Sequence, residues 1–166
     1  SLSAVLTDLA GEPHILSYIV DLGARRRIEE ALRASEYRFR TLFEEIGNIA
    51  VQGYDATRKV IFWNRASTEF YGYSAEEALG RPLEDLIIPE ALRAQVIARH
   101  EEWLRSGIPI PAENLELLRK DGTLIPVFSS HAMLRDTAGH PELYCVDVDL
   151  RPLQESEFRY RELADS

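Results

Sequence analysis

The chain has 166 residues, of which 45% are hydrophobic and 28% charged, so its composition is that of a globular protein with one well-packed core. Its net charge of −9 argues against general binding of nucleic-acid phosphates, which needs clustered Lys and Arg. The basic run Arg25-Arg26-Arg27 is followed at once by Glu29-Glu30, so we interpret it as a solvated helix face. We therefore expect no nucleic-acid partner.

Cys145 is the one cysteine of the chain, so no internal disulfide can form and a reducing compartment fits. No stretch reaches the roughly 20 apolar residues needed to span a bilayer, and no signal peptide opens the sequence. We expect a cytoplasmic segment without membrane contact of its own.

Two short segments recur along the chain. Residues 8–13 (Asp-Leu-Ala-Gly-Glu-Pro) are matched by residues 136–141 (Asp-Thr-Ala-Gly-His-Pro), and each copy has the pattern of a β-hairpin. Residues 35–42 are matched in the same way by residues 156–163. The repeats divide the chain into a terminal hairpin of an upstream unit (1–22), a linker helix (23–43), one complete unit (44–150), and a linker with the start of a further unit (151–166).

The linker has an apolar residue alternately every fourth and third position, which is the pattern of a two-helix seam. It predicts a homodimer through a coiled coil whose seam residues are Ile28, Leu32, Phe39, Leu42 and Ile46. A single amphipathic helix that lies on its own domain stays the alternative.

The complete unit begins with two predicted strands separated by a turn at residues 55–58, the second strand being Val60-Ile61-Phe62-Trp63. Short helices follow, one of them with a capping box made by Ser74 and Glu77, and a longer helix opens at Pro89-Glu90. Three more strands cover residues 113–119, 124–134 and 143–150. This order predicts an α+β fold, a five-stranded antiparallel sheet with helices on one face, preceded by an amphipathic linker helix.

Four motifs in this order resemble the PAS family. They are Trp63-Asn64-x-Ala66, the run from Phe70-Tyr71-Gly72-Tyr73 to Leu79-Gly80-Arg81, the turn Arg119-Lys120-Asp121-Gly122-Thr123, and the closing Asp149-Leu150. The resemblance implies a PAS fold and a non-catalytic sensory domain of a multidomain bacterial signalling protein. Its partners would be neighbouring PAS domains and an output domain, either a histidine kinase or a cyclic-di-GMP enzyme.

The resemblance also allows cofactors to be considered one at a time. Flavin domains of the light-oxygen-voltage type need a reactive cysteine after the second helix, and residues 80–86 have none, so this flavin chemistry is excluded. Haem PAS domains use a histidine seven residues after the helix-opening proline, where this chain has Val96, so we expect no haem although His100 follows one turn later. No His or Cys spacing indicates a metal site, and no carboxylate pair or nucleophile arrangement indicates catalysis.

The remaining possibility is an unidentified small metabolite in the cavity between sheet and helices. By resemblance to the family's sheet, Ser129, His131 and Asp147 point inward, whereas the more apolar alternate residues, such as Phe128 and Val148, favour the opposite register. The polar set can point inward and the apolar set can still be buried if the connecting helix or a dimer partner covers the outer face of the sheet. We favour this arrangement. The candidate cavity residues are Phe70, Val96, His100, Trp103, Leu115, Ser129, His131, Cys145 and Asp147.

Within that set, we expect Ser129, His131 and Asp147 to hold a ligand against a wall made by Phe70, Trp103 and Leu115, and a buried His131 beside Asp147 would respond to pH. The alternative is a filled cavity whose polar groups satisfy one another. The domain would then be a ligand-free dimerisation or interaction module.

Overall fold

The computed structural model describes residues 2–9, 12–19, 22–45 and 47–164 of the chain. The chain divides into two compact units, residues 1–41 and residues 42–166. The second unit contains the five-stranded sheet and the candidate site.

In the first unit, strands β1 (Leu2–Leu9) and β2 (Glu12–Ile19) pair antiparallel as a two-stranded sheet. The residues of the predicted turn between them, 10 and 11, lie outside the described residues. Helix α1 (Leu22–Glu45) begins in this unit and ends in the next one.

Helix α1 presents large apolar side chains to solvent. Four of the predicted seam residues are between 58% and 69% exposed: Ile28, Leu32, Phe39 and Leu42. The fifth, Ile46, lies outside the described residues. The predicted seam is therefore an exposed stripe, and its pairing with a second chain stays a prediction.

The second unit has the predicted order of strands and helices. Its elements are β3 (Ile49–Asp55), β4 (Val60–Trp63), α2 (Arg65–Tyr71), α3 (Ala75–Ala78), a short 3-10 helix (Leu83–Asp85), α4 (Glu90–Ser106), β5 (Glu113–Leu118), β6 (Leu124–Arg135), β7 (Pro141–Asp149) and α5 (Arg151–Ala164). The strands form one antiparallel sheet in the order β4-β3-β7-β6-β5. The predicted fold class is confirmed. The 3-10 helix was not predicted, because three residues are too few to show a periodicity.

Two of the predicted local signals are seen directly. The capping box of α3 is complete, because the Glu77 backbone N–H donates to Ser74 Oγ at 3.2 Å and the Ser74 N–H donates to Glu77 Oε2 at 3.0 Å. At the turn between β3 and β4, Asp55 Oδ1 accepts from the backbone N–H groups of Thr57 and Lys59. These bonds hold Arg58 at a φ of 67°, which is rare for a residue with a side chain.

The sheet buries the face that carries the polar residues. Val127, Ser129 and Asp147 are at most 2% exposed, whereas Phe128 is 40% and Val148 37% exposed. The register that hydrophobicity alone predicted is wrong and the family's register is right. Alternation assigns the more apolar face to the core, and it cannot recognise a core that contains a cavity with a polar lining. Cover of the outer face by a helix or a partner stays a prediction.

Candidate ligand-binding cavity

A cavity of about 230 Å³ lies between the inner face of the sheet and the 3-10 helix and α4. It is larger than the ~150 Å³ cavity that admits benzene in an engineered protein, and smaller than the ~300–1,000 Å³ pockets of drug-sized ligands. Its lining is Gln52, Tyr54, Arg58, Leu83, Glu84, Ile87, Ile88, Leu92, Gln95, Val96, Arg99, His100, Ile110, Glu113, Leu115, Leu117, Ser129, His131, Cys145 and Asp147. The volume suits a small molecule about the size of benzene or somewhat larger.

The sheet side of the cavity is centred on Asp147 of β7, which has no exposed surface. Ser129 of β6 lies directly opposite Asp147, and Tyr71 Oη of α2 donates to Asp147 Oδ2 at 2.6 Å. The second oxygen, Oδ1, is buried without a partner among the described residues. Burial raises the pKa of the Asp147 carboxyl, and the nearby Ser129, Tyr71 and Gln52 side chains only partly offset this.

Gln52 of β3 connects the cavity to a buried hydrogen-bond network. Its Nε2 donates to Ser67 Oγ at 3.1 Å, while its Oε1 has no partner among the described residues. Ser67 Oγ lies 2.8 Å from Asn64 Oδ1, and Asn64 Nδ2 donates to the backbone oxygens of Phe43, at 2.7 Å, and Ile49, at 2.9 Å. The network therefore runs from the cavity to the last turn of α1.

The helix side of the cavity carries a salt bridge and a histidine. Arg58 Nε lies 3.0 Å from Glu84 Oε1, and Glu84 Oε2 has no partner in the described part of the chain. His100 of α4 is 2% exposed, and its ring centroid lies 5.5 Å from that of Tyr54. Both of its ring nitrogens are also without a hydrogen-bond partner there. Burial, and after it the charge of Arg58, lowers the pKa of His100, which favours the neutral imidazole.

His131 lines the cavity but does not hydrogen-bond to Asp147, and its response to pH stays a prediction. In the sheet register His131 is opposite Cys145, two residues from Asp147, and its Nε2 is 3.5 Å from Ser129 Oγ. Burial lowers the pKa of His131, and the charge of Glu113 opposes this. Glu113 in turn forms a salt bridge with Arg99, and both side chains are about one-third exposed at the rim.

Seven of the nine predicted cavity residues line the cavity: Val96, His100, Leu115, Ser129, His131, Cys145 and Asp147. Phe70 and Trp103 do not, although both are buried in the core. Phe70 borders a separate surface cleft near Asn48 and Asp149. The prediction of Phe70 and Trp103 as walls is wrong, because the sequence shows that a helix residue is apolar but not which part of the interior it reaches.

Three residues that the sequence analysis missed are central to the lining: Gln52, Arg58 and Glu84. Gln52 is a buried amide within the apolar strand β3, and such a polar residue on a core face is a signal that could have found it. Arg58 and Glu84 lie in a turn and in the unpredicted 3-10 helix, where no periodicity assigns a face.

Cys145 is 7% exposed, and Tyr54 Oη lies 3.3 Å from its Sγ. Burial raises the pKa of the Cys145 thiol, so the reactive thiolate is disfavoured.

Within residues 2–9, 12–19, 22–45 and 47–164, no group of three or more His, Cys, Asp or Glu side chains could hold a metal ion. A search of the same ranges finds no helix with the length and apolarity to cross a bilayer.

A family model described as the PAS fold matches residues 60–146, more than half of the chain. The chain therefore belongs to the PAS fold family.

Solved PAS domains have the same fold. A PAS domain from Colwellia psychrerythraea is 21% identical with a TM-score of 0.59, and the match covers 71% of this chain and 99% of that one. The PAS domain of an HTR-like protein from Haloarcula marismortui is 21% identical with a TM-score of 0.57, over 75% and 98% of the two chains.

A ligand-bound PAS domain is also similar. The PAS domain of the quorum-sensing receptor RpfR from Cronobacter turicensis, solved in complex with C12:0, is 16% identical with a TM-score of 0.52, over 62% of this chain and 94% of that one. None of the curated proteins compared with this sequence matches it.

Proposed function

We propose that this PAS domain is a sensory module that binds a small polar molecule in the cavity of about 230 Å³. The observation that carries the proposal is a set of buried polar atoms without hydrogen-bond partners among the described residues, which includes Gln52 Oε1, Asp147 Oδ1 and both nitrogens of His100. Each unsatisfied buried group costs about 1–3 kcal/mol, so a molecule that hydrogen-bonds to several of them stabilises the fold.

The similar RpfR domain was solved with C12:0, and this supports the use of the interior of the fold as a binding site. The lining here favours a different ligand. Gln52, Glu84, His100 and Asp147 would be left unsatisfied by a purely apolar chain. We therefore propose a polar metabolite in place of an acyl chain.

We propose that the ligand is neither haem nor flavin. The volume of the cavity lies below the ~300–1,000 Å³ range of pockets for drug-sized ligands, and both of these cofactors are at least drug-sized. The only cysteine is in β7 and not near residues 80–86. An absorbance spectrum of the purified chain tests this: bands in the visible range would contradict it.

Two connections support passage of the signal out of the cavity. Gln52, Ser67 and Asn64 link the cavity to the Phe43 carbonyl of α1. Asp147 is two residues from Asp149, which accepts from the Arg151 backbone N–H and binds the Arg151 side chain through both carboxylate oxygens at the start of α5. A ligand that moves Gln52 or Asp147 would shift the ends of both helices.

We propose that α1 pairs with a second copy of the chain through its exposed apolar stripe, and that the domain regulates the output of a longer cytoplasmic bacterial protein. That output would be a histidine kinase or a cyclic-di-GMP enzyme. The repeats at residues 136–141 and 156–163 support an array of PAS units. The coding sequence after Ser166 tests this part, because a stop codon there would contradict it.

A second candidate function is assembly without a ligand. It is favoured by the large apolar side chains that the outer face of the sheet exposes, among them Phe128 and Leu134, which is 50% exposed. In this case the cavity is filled only by water and the module sets the pairing of neighbouring domains.

A thermal-shift screen against metabolites separates the two candidates. Ser129 and Ser130 are neighbours on β6, of which Ser129 lines the cavity and Ser130 lies on the opposite face. We expect a ligand to raise the melting temperature of the wild-type chain and of Ser130→Leu, but not of Ser129→Leu, whose added side chain occupies the cavity. If no metabolite stabilises the wild type, or if Ser129→Leu responds equally, cavity binding is contradicted.

A further inference from the structure

The charged groups around the cavity are not balanced. Its lining contains three carboxyl groups, those of Glu84, Glu113 and Asp147, and two guanidinium groups, those of Arg58 and Arg99. Each arginine already forms a salt bridge, Arg58 with Glu84 and Arg99 with Glu113. Asp147 is the carboxyl group of this lining that has no salt bridge within the described residues. Among the described residues, the cavity lining therefore offers one carboxyl group without a salt bridge and no arginine that is free of one.

The unpartnered polar atoms of the cavity are also mostly hydrogen-bond acceptors. Gln52 Oε1, Glu84 Oε2 and Asp147 Oδ1 are all acceptor oxygens, and each is buried without a partner in the described part of the chain. A neutral His100 adds one donor and one acceptor, and the unpartnered Nδ1 of His131 adds one more group that donates or accepts according to the tautomer. Because acceptors outnumber donors, a ligand must supply several hydrogen-bond donors to satisfy the cavity.

We propose that the ligand of this cavity is a small organic cation, whose ammonium group binds between Asp147 Oδ1 and Gln52 Oε1. The proposal rests on the proposed function, since it names the chemical class of the molecule that the cavity holds. An ammonium group has three donors and no acceptor, which matches the unpartnered oxygens. Tyr71 already donates to Asp147 Oδ2, so Oδ1 is the oxygen left for the ligand.

The surroundings of Asp147 fit this class of ligand. An opposite charge within a few ångströms favours an ionised carboxyl group, so a bound ammonium offsets the burial that disfavours ionisation of Asp147. The apolar remainder of the molecule would contact Ile87, Leu115 and Leu117. An anionic ligand would instead meet three carboxyl groups, and both arginines are engaged. The net charge of −9 also favours the approach of cations over anions.

Three probes with the same four-carbon skeleton test the proposal: 1-butylamine, 1-butanol and butanoate, each titrated into the full 166-residue chain at neutral pH and followed by NMR. We expect 1-butylamine to bind at least about tenfold more tightly than the other two, with shifts at the amides of Gln52 and Asp147. Asp147→Asn should reduce amine affinity to that of 1-butanol and leave 1-butanol binding unchanged. Glu116→Gln, an exposed carboxylate on β5, is the control and should change neither.

Other outcomes identify which proposal fails. If 1-butanol or butanoate binds in the cavity as tightly as 1-butylamine, or if Asp147→Asn retains amine binding, the proposal of a cationic ligand is contradicted. The proposal of a ligand-binding sensory cavity is then unaffected. If no probe and no metabolite of the screen binds, both proposals fail. Should Asp147→Asn not fold, as circular dichroism would show, Gln52→Met replaces it. This variant removes Oε1 at similar size, and undiminished amine binding would overturn the proposal.

Discussion

Asp147 combines complete burial with a carboxyl group that has one satisfied oxygen and one unsatisfied oxygen. The groups around it are Tyr71 of α2, Gln52 of β3 and Ser129 of β6, and none of them carries a positive charge. Because burial raises its pKa, the folded chain holds the Asp147 proton to a higher pH than the unfolded chain does. This difference makes stability depend on pH.

Between the ordinary Asp pKa of 3.8 and the raised pKa of the folded state, the folded chain binds more protons, so its free energy of unfolding falls as pH rises. Asp147→Asn removes this loss. We expect thermal unfolding between pH 4 and pH 8 to show the variant gaining stability relative to the wild type as pH increases.

Asp121→Asn is the matched control for that series. Hydrogen bonds from Thr123 lower the pKa of the exposed Asp121, so its contribution is present above the unfolded pKa and is lost as pH falls. Relative to the wild type, this variant should not gain stability as pH rises. Parallel pH curves for Asp147→Asn and the wild type would contradict the role of burial.

The side chain of Asn64 both accepts and donates hydrogen bonds within the buried network. Its Oδ1 caps α2 by accepting from the Ser67 N–H at 2.9 Å and also accepts from the Val51 N–H, while its Nδ2 donates to Phe43 and Ile49. We expect Asn64→Ala to lower the free energy of unfolding by about 2 kcal/mol or more, because a cap is lost and buried groups lose partners. Urea unfolding measures this loss.

Asn64→Asp separates the two parts of this role. Aspartate retains the acceptor that caps α2 and removes the donors to Phe43 and Ile49. If the link to α1 stabilises the fold, this variant is also destabilised, and amide exchange near Phe43 becomes faster. Stability equal to the wild type would show that the cap alone matters. Asn114→Ala, at an exposed position on β5, is the control.

At the scale of elements, β3 and β7 approach closely at Gly53. A Cβ added there would lie 2.6 Å from Tyr144 Cε1 and 3.0 Å from Phe62 Cβ. We expect Gly53→Ala to destabilise the fold by about 1–3 kcal/mol, as is typical of overpacking. Gly47→Ala, whose Cβ would meet no atom within 4 Å, is the control. Restoration of stability by Tyr144→Ala in the Gly53→Ala background would identify the contact, and an unaffected Gly53→Ala would disprove it.

The elements of the second unit were largely predictable because each carries a local signal. Ser74 with Glu77, the turn after Asp55 and the β-branched run at Val60 depend on neighbours in sequence, and all three are observed. The face of each strand was not predictable from hydrophobicity. Ser129 and Asp147 are buried because they surround a cavity, which is a property of the assembled sheet and helices and not of one strand.

Only part of the cavity lining was predictable from the sequence, because the lining is also a property of the assembled sheet and helices. The sequence indicated Ser129, His131 and Asp147 through the register of a known family, but it placed His131 beside Asp147, and the structure puts Tyr71 there. Arg58 and Glu84 come from a turn and a 3-10 helix and meet only in three dimensions, at 3.0 Å. Side chains that line a cavity from four or five elements have no common pattern along the chain.

At the scale of the whole molecule, the exposed stripe of α1 predicts self-association. We expect the chain to sediment as a dimer at micromolar concentrations, and Leu32→Lys and Leu42→Lys to shift it to the monomer, since a charge in an apolar seam is costly. Leu79→Lys changes a leucine that is 47% exposed outside α1 and should leave the dimer intact. Equal self-association of all three variants would exclude the seam.

The central claim is that a small molecule occupies the cavity, and NMR mapping of the compound that most stabilises the chain in the metabolite screen tests it most directly. We predict that the largest amide shifts fall at Gln52, Ser129, Cys145 and Asp147, with smaller shifts reaching Phe43 through the Asn64 network. Shifts confined to the outer face, around Phe128 and Leu134, would contradict a ligand-binding cavity.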